Sequence, residues 1–348
     1  MNTARTDRWQ LHPATQLKQF APQWDELQQR AQPHAFLRAS FLVCLLEDFG
    51  NGSELLAFKA GPAGWMGACL LQPQGRGRWS SFQPSQLPLG PVLLADGLTP
   101  ADALEQLLPE LPGLTLALGL TQLDSLHHPG MPDTPRLRSL HYIDTAWVDV
   151  DGSFEAYWES RGKNLRQNTR KQLKKVEAGG VTPRIELVEA PEHIAAAIEQ
   201  YGVLESSGWK AEQGTAISAG GAQGRFYSRA LEQAARDGQA RIYRYWFGDE
   251  VVAMDLCVHQ GDCLVILKTA YQQAHHAVSP STLMRAVEFE ALFNEGRFKR
   301  IEFFGRVMEW HTRWTDKSRP LFHLTAYRWP WLKSLHGWLQ QRRTKPAA

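Results

Sequence analysis

Three stretches of this chain set chemically useful side chains close together. Glu205, Trp209 and Lys210 bring an acid, an aromatic plate and a cation onto one short segment. Such a cluster either lines an acceptor site or is an ion pair at a helix end. Asp255 interrupts the apolar run 251–258. A carboxylate inside such a strand is either hydrogen-bonded structure or a substrate-facing group, because an unpaired buried charge is costly. The third stretch is a strand-like run at 263–271, a loop at 272–280 and a helical pattern at 281–295 in direct succession. The first turn of a helix leaves N–H groups unpaired and carries the positive end of the dipole, so this order makes a site for an anion such as a pyrophosphate. An ordinary connection with Ser279 or Ser281 as N-cap is the alternative.

A fourth stretch is purely basic. Arg161, Lys163, Arg166, Arg170, Lys171, Lys174 and Lys175 occur with no acid among them, and Lys163, Arg166, Arg170 and Lys174 recur at helical spacing. This is a solvated helix face or a binding face for an anionic acceptor, a nucleotide-linked sugar or RNA. His275 and His276 adjoin one another without the ligand spacing of a metal site, so no metal is expected. Near the end, Trp331, Leu332, Leu335, Trp338 and Leu339 make an apolar stripe beside Arg328, Lys333, Arg342 and Arg343. Packing on the domain and resting on a membrane surface are its two readings.

The elements that must position these groups are legible from residue 146 onward. The pattern predicts a strand at 146–150, one long helix at 153–178 closed by Gly179 and Gly180, a strand at 184–189 and a helix at 191–206 with Pro in its first turn. A helix at 223–236 leads into strands at 240–247, 251–259 and 263–271. Short turns join these three, which makes an antiparallel meander, and a helix at 281–295 and a strand at 300–304 come next. Before residue 124, helical patterns (21–32, 100–108) mix with strand-like runs (54–59, 64–72, 78–82, 114–118), an α/β arrangement. The Pro- and Gly-rich segment 124–135 is the expected junction.

The chain has 348 residues, enough for two domains, and a formal net charge of +2, which leaves no global field to draw in nucleic acid. Four cysteines (Cys44, Cys69, Cys257, Cys263) lack a C-x-x-C pair and read as small core residues in a reducing compartment. Residues 1–13 lack the apolar core of a secretory signal, and no apolar stretch is long enough to cross a bilayer, so a cytoplasmic protein is expected.

Several strings resemble one branch of the GNAT acetyltransferases, that associated with cellulose and exopolysaccharide biosynthesis. They are residues 205–216 (ESSGWKAEQGTA), residues 268–283 (KTAYQQAHHAVSPSTL), and 301–305 (IEFFG) with Trp310 and Trp314 after it. The resemblance covers most of residues 145–330, and residues 24–37 more weakly resemble the N-terminal half of such proteins. Ser281 stands where the family commonly has Gly, and Glu302 where Asp is usual. The resemblance implies tandem GNAT-like domains, each a mixed, mainly antiparallel sheet flanked by helices, at 1–140 and 141–330, with a basic amphipathic tail at 331–348. The literal phosphate motif of the superfamily occurs instead at residues 72–77, immediately before a strand-like run, so those glycines are read as a hairpin turn.

The resemblance further implies an acyltransferase using acetyl-CoA or another acyl-CoA, with an amino sugar or another small amine as acceptor. An amine must lose a proton, the thioester carbonyl must be polarised and the thiolate accommodated. On this reading Ser279, Ser281, Thr282 and Leu283 hold the coenzyme. Glu205 orients the amine, Asp255 accepts its proton in the same cleft, and Trp209, Lys210, Lys268, Tyr271, Glu302 and His311 line the acceptor site. A biosynthetic complex or a membrane surface is a further expected partner. The rival is a transferase of the peptidoglycan-bridge type, which takes an aminoacyl group from tRNA and which the basic segment suits. A non-catalytic assembly partner is the third reading.

Overall fold

The computed structural model describes residues 8–130, 132–206 and 221–344, the last five of these by their backbone alone. The chain divides into two compact units, Met1–Pro33 with Leu37–Asp144 and Arg319–Ala348, and His34–Phe36 with Thr145–Ser318.

The first unit begins with β1 (Trp9–Pro13), α1 (Ala21–Ala31), α2 (Ala39–Phe49), β2 (Leu55–Gly61), β3 (Gly64–Pro73), β4 (Arg78–Ser81), β5 (Val92–Leu94), α3 (Pro100–Leu107) and β6 (Ala117–Asp124). It continues into β7 (Leu137–Asp149), whose end lies in the second unit. β13 (Ser318–Tyr327) and α10 (Pro330–Thr344) return to the first unit from the far end of the chain. The sheet order is β1-β2-β3-β4-β6-β13-β7, with β5 beside β3. Only β4 and β6 are parallel among the pairs whose register is resolved.

Local chemistry explains the boundaries. Thr99 caps α3 in a reciprocal box with Asp102, and Pro100 occupies the first position, where its missing N–H costs nothing. Gly75, Arg76 and Gly77, all at positive φ, turn β3 into β4, with the Gln74 N–H donating to the Arg78 carbonyl at 2.7 Å. The phosphate-motif look-alike is thus a hairpin turn, as expected. The segment between β6 and β7 is held by a buried fork in which Arg319 donates from Nε and Nη2 to Asp124 at 2.7 Å each. Residues 319–327, expected in the second domain, pair instead with β6 in the first, because β13 completes that sheet.

The second unit contains α4 (Phe154–Ser160), α5 (Lys163–Ala178), β8 (Pro183–Val188), α6 (Pro191–Ser206), α7 (Ala222–Arg236), β9 (Ala240–Phe247), β10 (Glu250–Gln260), β11 (Cys263–Tyr271), α8 (Pro280–Glu295), β12 (Arg300–Glu302) and α9 (Glu309–Trp314). The order from the end of β7 is β7-β12-β11-β10-β9-β8, antiparallel except for β11 beside β12. The single helix expected at 153–178 is broken in two. Arg161 and Gly162 are extended, Gly162 caps α5, and Arg161 donates from Nη1 to the Trp314 carbonyl at 2.8 Å.

Each unit is therefore a mixed, mainly antiparallel sheet flanked by helices, the expected fold class. Cys69 and Cys257 are buried in it, with their thiols pushed up by burial. Among the described residues no helix is long and apolar enough to cross a membrane.

Candidate active site

The site grows out of an incomplete strand pair. β11 and β12 run parallel, but their ladder covers only Cys263–Val265 against Arg300–Glu302. β11 continues to Tyr271 paired with β10, and among the described residues no strand lies beside its outer edge beyond Val265. The strands part at the end of β11 that leads, through a short 3-10 turn at Gln273–Val278, into α8.

Ser279 opens α8 with φ of 47°, a left-handed conformation that side chains rarely adopt. Its hydroxyl accepts from Gln172 Nε2 at 3.2 Å, which ties α5 to the start of α8. In the first turn Pro280 has no N–H, and those of Thr282 and Leu283 donate to the Ser279 carbonyl at 2.9 and 3.2 Å. Thr282 therefore does not hold a free backbone N–H toward a phosphate. The donors at this helix start include the Ser281 N–H and the hydroxyls of Ser279, Ser281 and Thr282.

A bulge in the β10–β11 ladder re-aims the side chains on β11. Cys257 pairs with Ile266 and Leu256 with Lys268, so Leu267 is the extra residue. Such an insertion flips the alternation beyond it. Lys268 consequently points to α6 and α7. There its Nζ meets Glu205 Oε1 at 3.0 Å and Gln223 Oε1 at 3.5 Å. It also stands 5.4 Å from the ring centre of Tyr227 and 5.9 Å from that of Tyr201. The Glu205 side chain is buried at 1% exposure and that of Lys268 keeps 17%, so the pair reaches solvent through the lysine. The Tyr201 hydroxyl is buried without a hydrogen-bond partner among the described residues, and burial first, then Glu205, pushes its pKa well up. Trp209 and Lys210, which belong to the same expected cluster, lie outside the described residues.

The next residue, Thr269, faces the other way, opposite Asp255 in register. Arg285 of α8 donates from one Nη2 to Asp255 Oδ2 at 2.7 Å and to Thr269 Oγ1 at 2.9 Å. Asp255 and Arg285 are both buried. Glu288, one turn along α8, is pushed well above the carboxylate range by burial and by Asp255, which favours its protonated form. Two carboxyls this close and this dry cannot both ionise. The guanidinium of Arg285 also lies 5.1 Å from the Trp310 ring centre and 5.7 Å from that of Phe303.

His311 stacks on Trp310 with centroids 3.5 Å apart and accepts at Nδ1 from the Met308 N–H at 2.9 Å. Burial, with Arg285 nearby, lowers its pKa to about 4. It is neutral at pH 7, with Nε2 as the protonated nitrogen. Glu302 is buried at the end of β12 with Arg300 3.7 Å away, and Tyr271 is half exposed at the end of β11.

The expected residues thus fall into separate groups. Glu205 and Lys268, from strings far apart in sequence, come together. Asp255 does not join them, because the register places it on the opposite face of the sheet, held by Arg285. The expectation of one cleft shared by Glu205 and Asp255 is corrected accordingly. Sequence reading missed Arg285, Glu288, Thr269, Tyr201, Gln223 and Tyr227. The only signal for Arg285 and Glu288 was two charged residues on an otherwise apolar helix face. His275 and His276 have separate partners, Glu250 at 3.0 Å and the Gln273 carbonyl at 3.0 Å.

Residues 163–316 match the family model of the acetyltransferase (GNAT) domain. A search of curated proteins returns no match to the sequence. Among solved structures the chain is similar to the C-terminal domain of a putative lysylphosphatidylglycerol synthetase from Agrobacterium fabrum, with TM-score 0.56 and 13% identity over 89% of this chain and 92% of that one. It is similar also to FemX (0.53, 10%, 80% and 89%) and to the L-PGS of Bacillus licheniformis (0.51, 14%, 88% and 91%). At such identities the likeness concerns the fold, and it spans both units. The matched segment, which carries the parted strands β11 and β12 and the start of α8, is a GNAT-type acyltransferase domain.

Proposed function

We propose that the second unit transfers an acyl group from acetyl-CoA or another acyl-CoA to the amine of a small acceptor. The observation that carries this is the opening between β11 and β12. Beyond this opening β11 carries Lys268, paired with Glu205, and leads to the anion-compatible start of α8, which supports the reading. The amine nitrogen attacks the thioester carbon, the C–S bond breaks, and the nitrogen's proton passes by way of a carboxylate to the departing thiolate. Glu205, the acid nearest the Lys268 opening, orients the amine and takes this proton, with Lys268 Nζ 3.0 Å away holding its carboxylate in place. Asp255 fixes Arg285, whose neighbours Trp310 and His311 line the other face.

Residues 205–216 and 268–283, with their likeness to the exopolysaccharide branch, favour an amino sugar as acceptor and a cytoplasmic role in polysaccharide synthesis, with Trp209, Lys210 and Tyr271 in the acceptor wall. A second reading rests on α5. Lys163, Arg170, Lys171, Lys174 and Lys175 are exposed on it, and Gln172 links it to Ser279, a surface that suits an aminoacyl-tRNA donor. Calorimetric titration with acetyl-CoA and, separately, with charged tRNA decides between them. Saturable binding of acetyl-CoA at micromolar concentrations supports the first reading. Binding of tRNA alone removes it, and binding of neither removes both donors.

A further inference from the structure

α10 carries on its outer side a surface that the acyl-transfer chemistry does not use. The helix is fixed to the first unit by one edge. Lys333 Nζ donates to Asp133 Oδ2, the Thr134 carbonyl and the Leu137 carbonyl at 2.9, 2.7 and 2.8 Å, and His336 Nδ1 meets the Tyr327 hydroxyl at 2.6 Å. The other edge points to solvent, with Trp331 58%, Leu335 43%, Trp338 49% and Leu339 46% exposed. These positions fall at i, i+4, i+7 and i+8, one continuous stripe of a helix. Trp329, 40% exposed, stacks on Trp331 at 6.0 Å and extends the stripe beyond the helix start. Large apolar side chains gathered on one exposed face mark a docking surface.

Charge identifies what docks. Seven of the chain's 38 Lys and Arg, and none of its 36 Asp and Glu, fall in residues 317–348. Lys317, Arg319 and Lys333 of these are paired with Asp149, Asp124 and Asp133, which leaves Arg328, Arg342, Arg343 and Lys345 as the cations of a segment that contains no acid of its own. Tryptophan at the border of an apolar stripe, basic residues nearby and no acid are what an anionic lipid surface selects, since indole rings settle at headgroup depth and phosphates attract the cations. A protein groove would be matched by the apolar stripe but would not require a segment free of acids.

We infer that α10 seats the first unit on an anionic phospholipid surface through Trp331, Leu335 and Trp338. The inference is independent of the donor assigned above. The test is co-sedimentation of the full chain with vesicles of phosphatidylcholine alone and with a minority of phosphatidylglycerol, at low and high salt. Tryptophan emission and size-exclusion with light scattering are recorded in parallel. Expected are binding to the anionic vesicles only, a shift of emission to shorter wavelength, and weakening at high salt. The triple variant Trp331→Ser/Leu335→Ser/Trp338→Ser should bind at least about tenfold more weakly with unchanged melting temperature. Arg342→Glu/Arg343→Glu, which leaves the apolar stripe in place, should also lose the anionic preference. Four results overturn the inference. They are no binding to anionic vesicles, equal binding to neutral ones, full binding by both variants, or a concentration-dependent dimer that the triple variant abolishes, which would assign the face to a second copy.

Discussion

Lys268 and Thr269 are consecutive residues that serve opposite faces of one sheet, Lys268 meeting Glu205 at 3.0 Å and Thr269 accepting from Arg285 at 2.9 Å. The two buried ion pairs of the site, Lys268–Glu205 and Arg285–Asp255, are thereby separated by the thickness of a strand. Their roles can be tested separately.

Removing one member of either pair deprives the other of its nearest opposite charge. Lys268→Met should cost about 3–5 kcal/mol in urea unfolding, because the buried Glu205 loses the cation 3.0 Å from it. The double variant with Glu205→Gln should cost clearly less than the two single changes added together. Strict additivity in that cycle would mean that the pair contributes no coupling.

Asp255→Asn distinguishes two jobs. If Asp255 holds Arg285, the variant loses about 3–5 kcal/mol of stability, and Arg285→Met/Asp255→Asn recovers part of it. If Asp255 accepts the proton, turnover falls while stability holds. The geometry favours the first outcome, and thermal melting alongside single-turnover rates reads both.

Ser281→Asp tests the helix start without harming the helix. An acid in the first turn stabilises α8 through its dipole but repels a phosphate. Acetyl-CoA affinity should fall by about tenfold or more while the melting temperature holds or rises. Unchanged affinity would move the coenzyme away from this turn.

His128 makes stability depend on pH. Burial, with His127 beside it, lowers its pKa to about 4, and it sits 2.6 Å from Gln32 Nε2. The unfolded chain takes up a proton near pH 6.5 while the folded chain does not. This contribution is thus fully present above pH 6.5 and is lost as pH falls toward 4. The slope reaches about 1.4 kcal/mol per pH unit. His128→Gln should flatten that part of the stability profile measured by denaturant midpoints.

Gly77→Ala should destabilise the β3–β4 hairpin. Gly77 has φ of 69°, and a Cβ there would stand 2.6 Å from the Leu114 carbonyl oxygen. A loss of about 2 kcal/mol, from the left-handed conformation and the backbone clash together, is the expected change in unfolding free energy.

Much of the second unit was legible because its elements are bounded by local signals. Gly248 and Gly261 turn the meander, Pro191 and Pro280 start helices, and Gly296 ends one. The strands at 240–247 and 263–271 have the predicted limits. Local pattern could not supply the partner across a long loop. The bulge at Leu267 leaves no mark in the alternation of a run that is apolar on both faces, so the separation of Lys268 from Asp255 was hidden. β13 was missed for a similar reason, since its partner β6 lies about two hundred residues earlier. The break at Gly162 was overlooked because the helical spacing of the basic residues continues on its far side.

The return of β13 also has a bearing on how the protein is made. β6 pairs with β13, and Asp124 waits for Arg319, 195 residues later, to neutralise its buried charge. During synthesis the first unit emerges early but cannot close its sheet, whereas every strand of the second unit from β8 to β12 is already out of the ribosome before β13 appears. The later-encoded unit should therefore mature first, and the N-terminal one should linger with an open strand edge that invites chaperones or aggregation. Released chains truncated after residue 318 should show protease resistance in residues 145–318 and sensitivity in residues 8–124. The full chain should be protected in both.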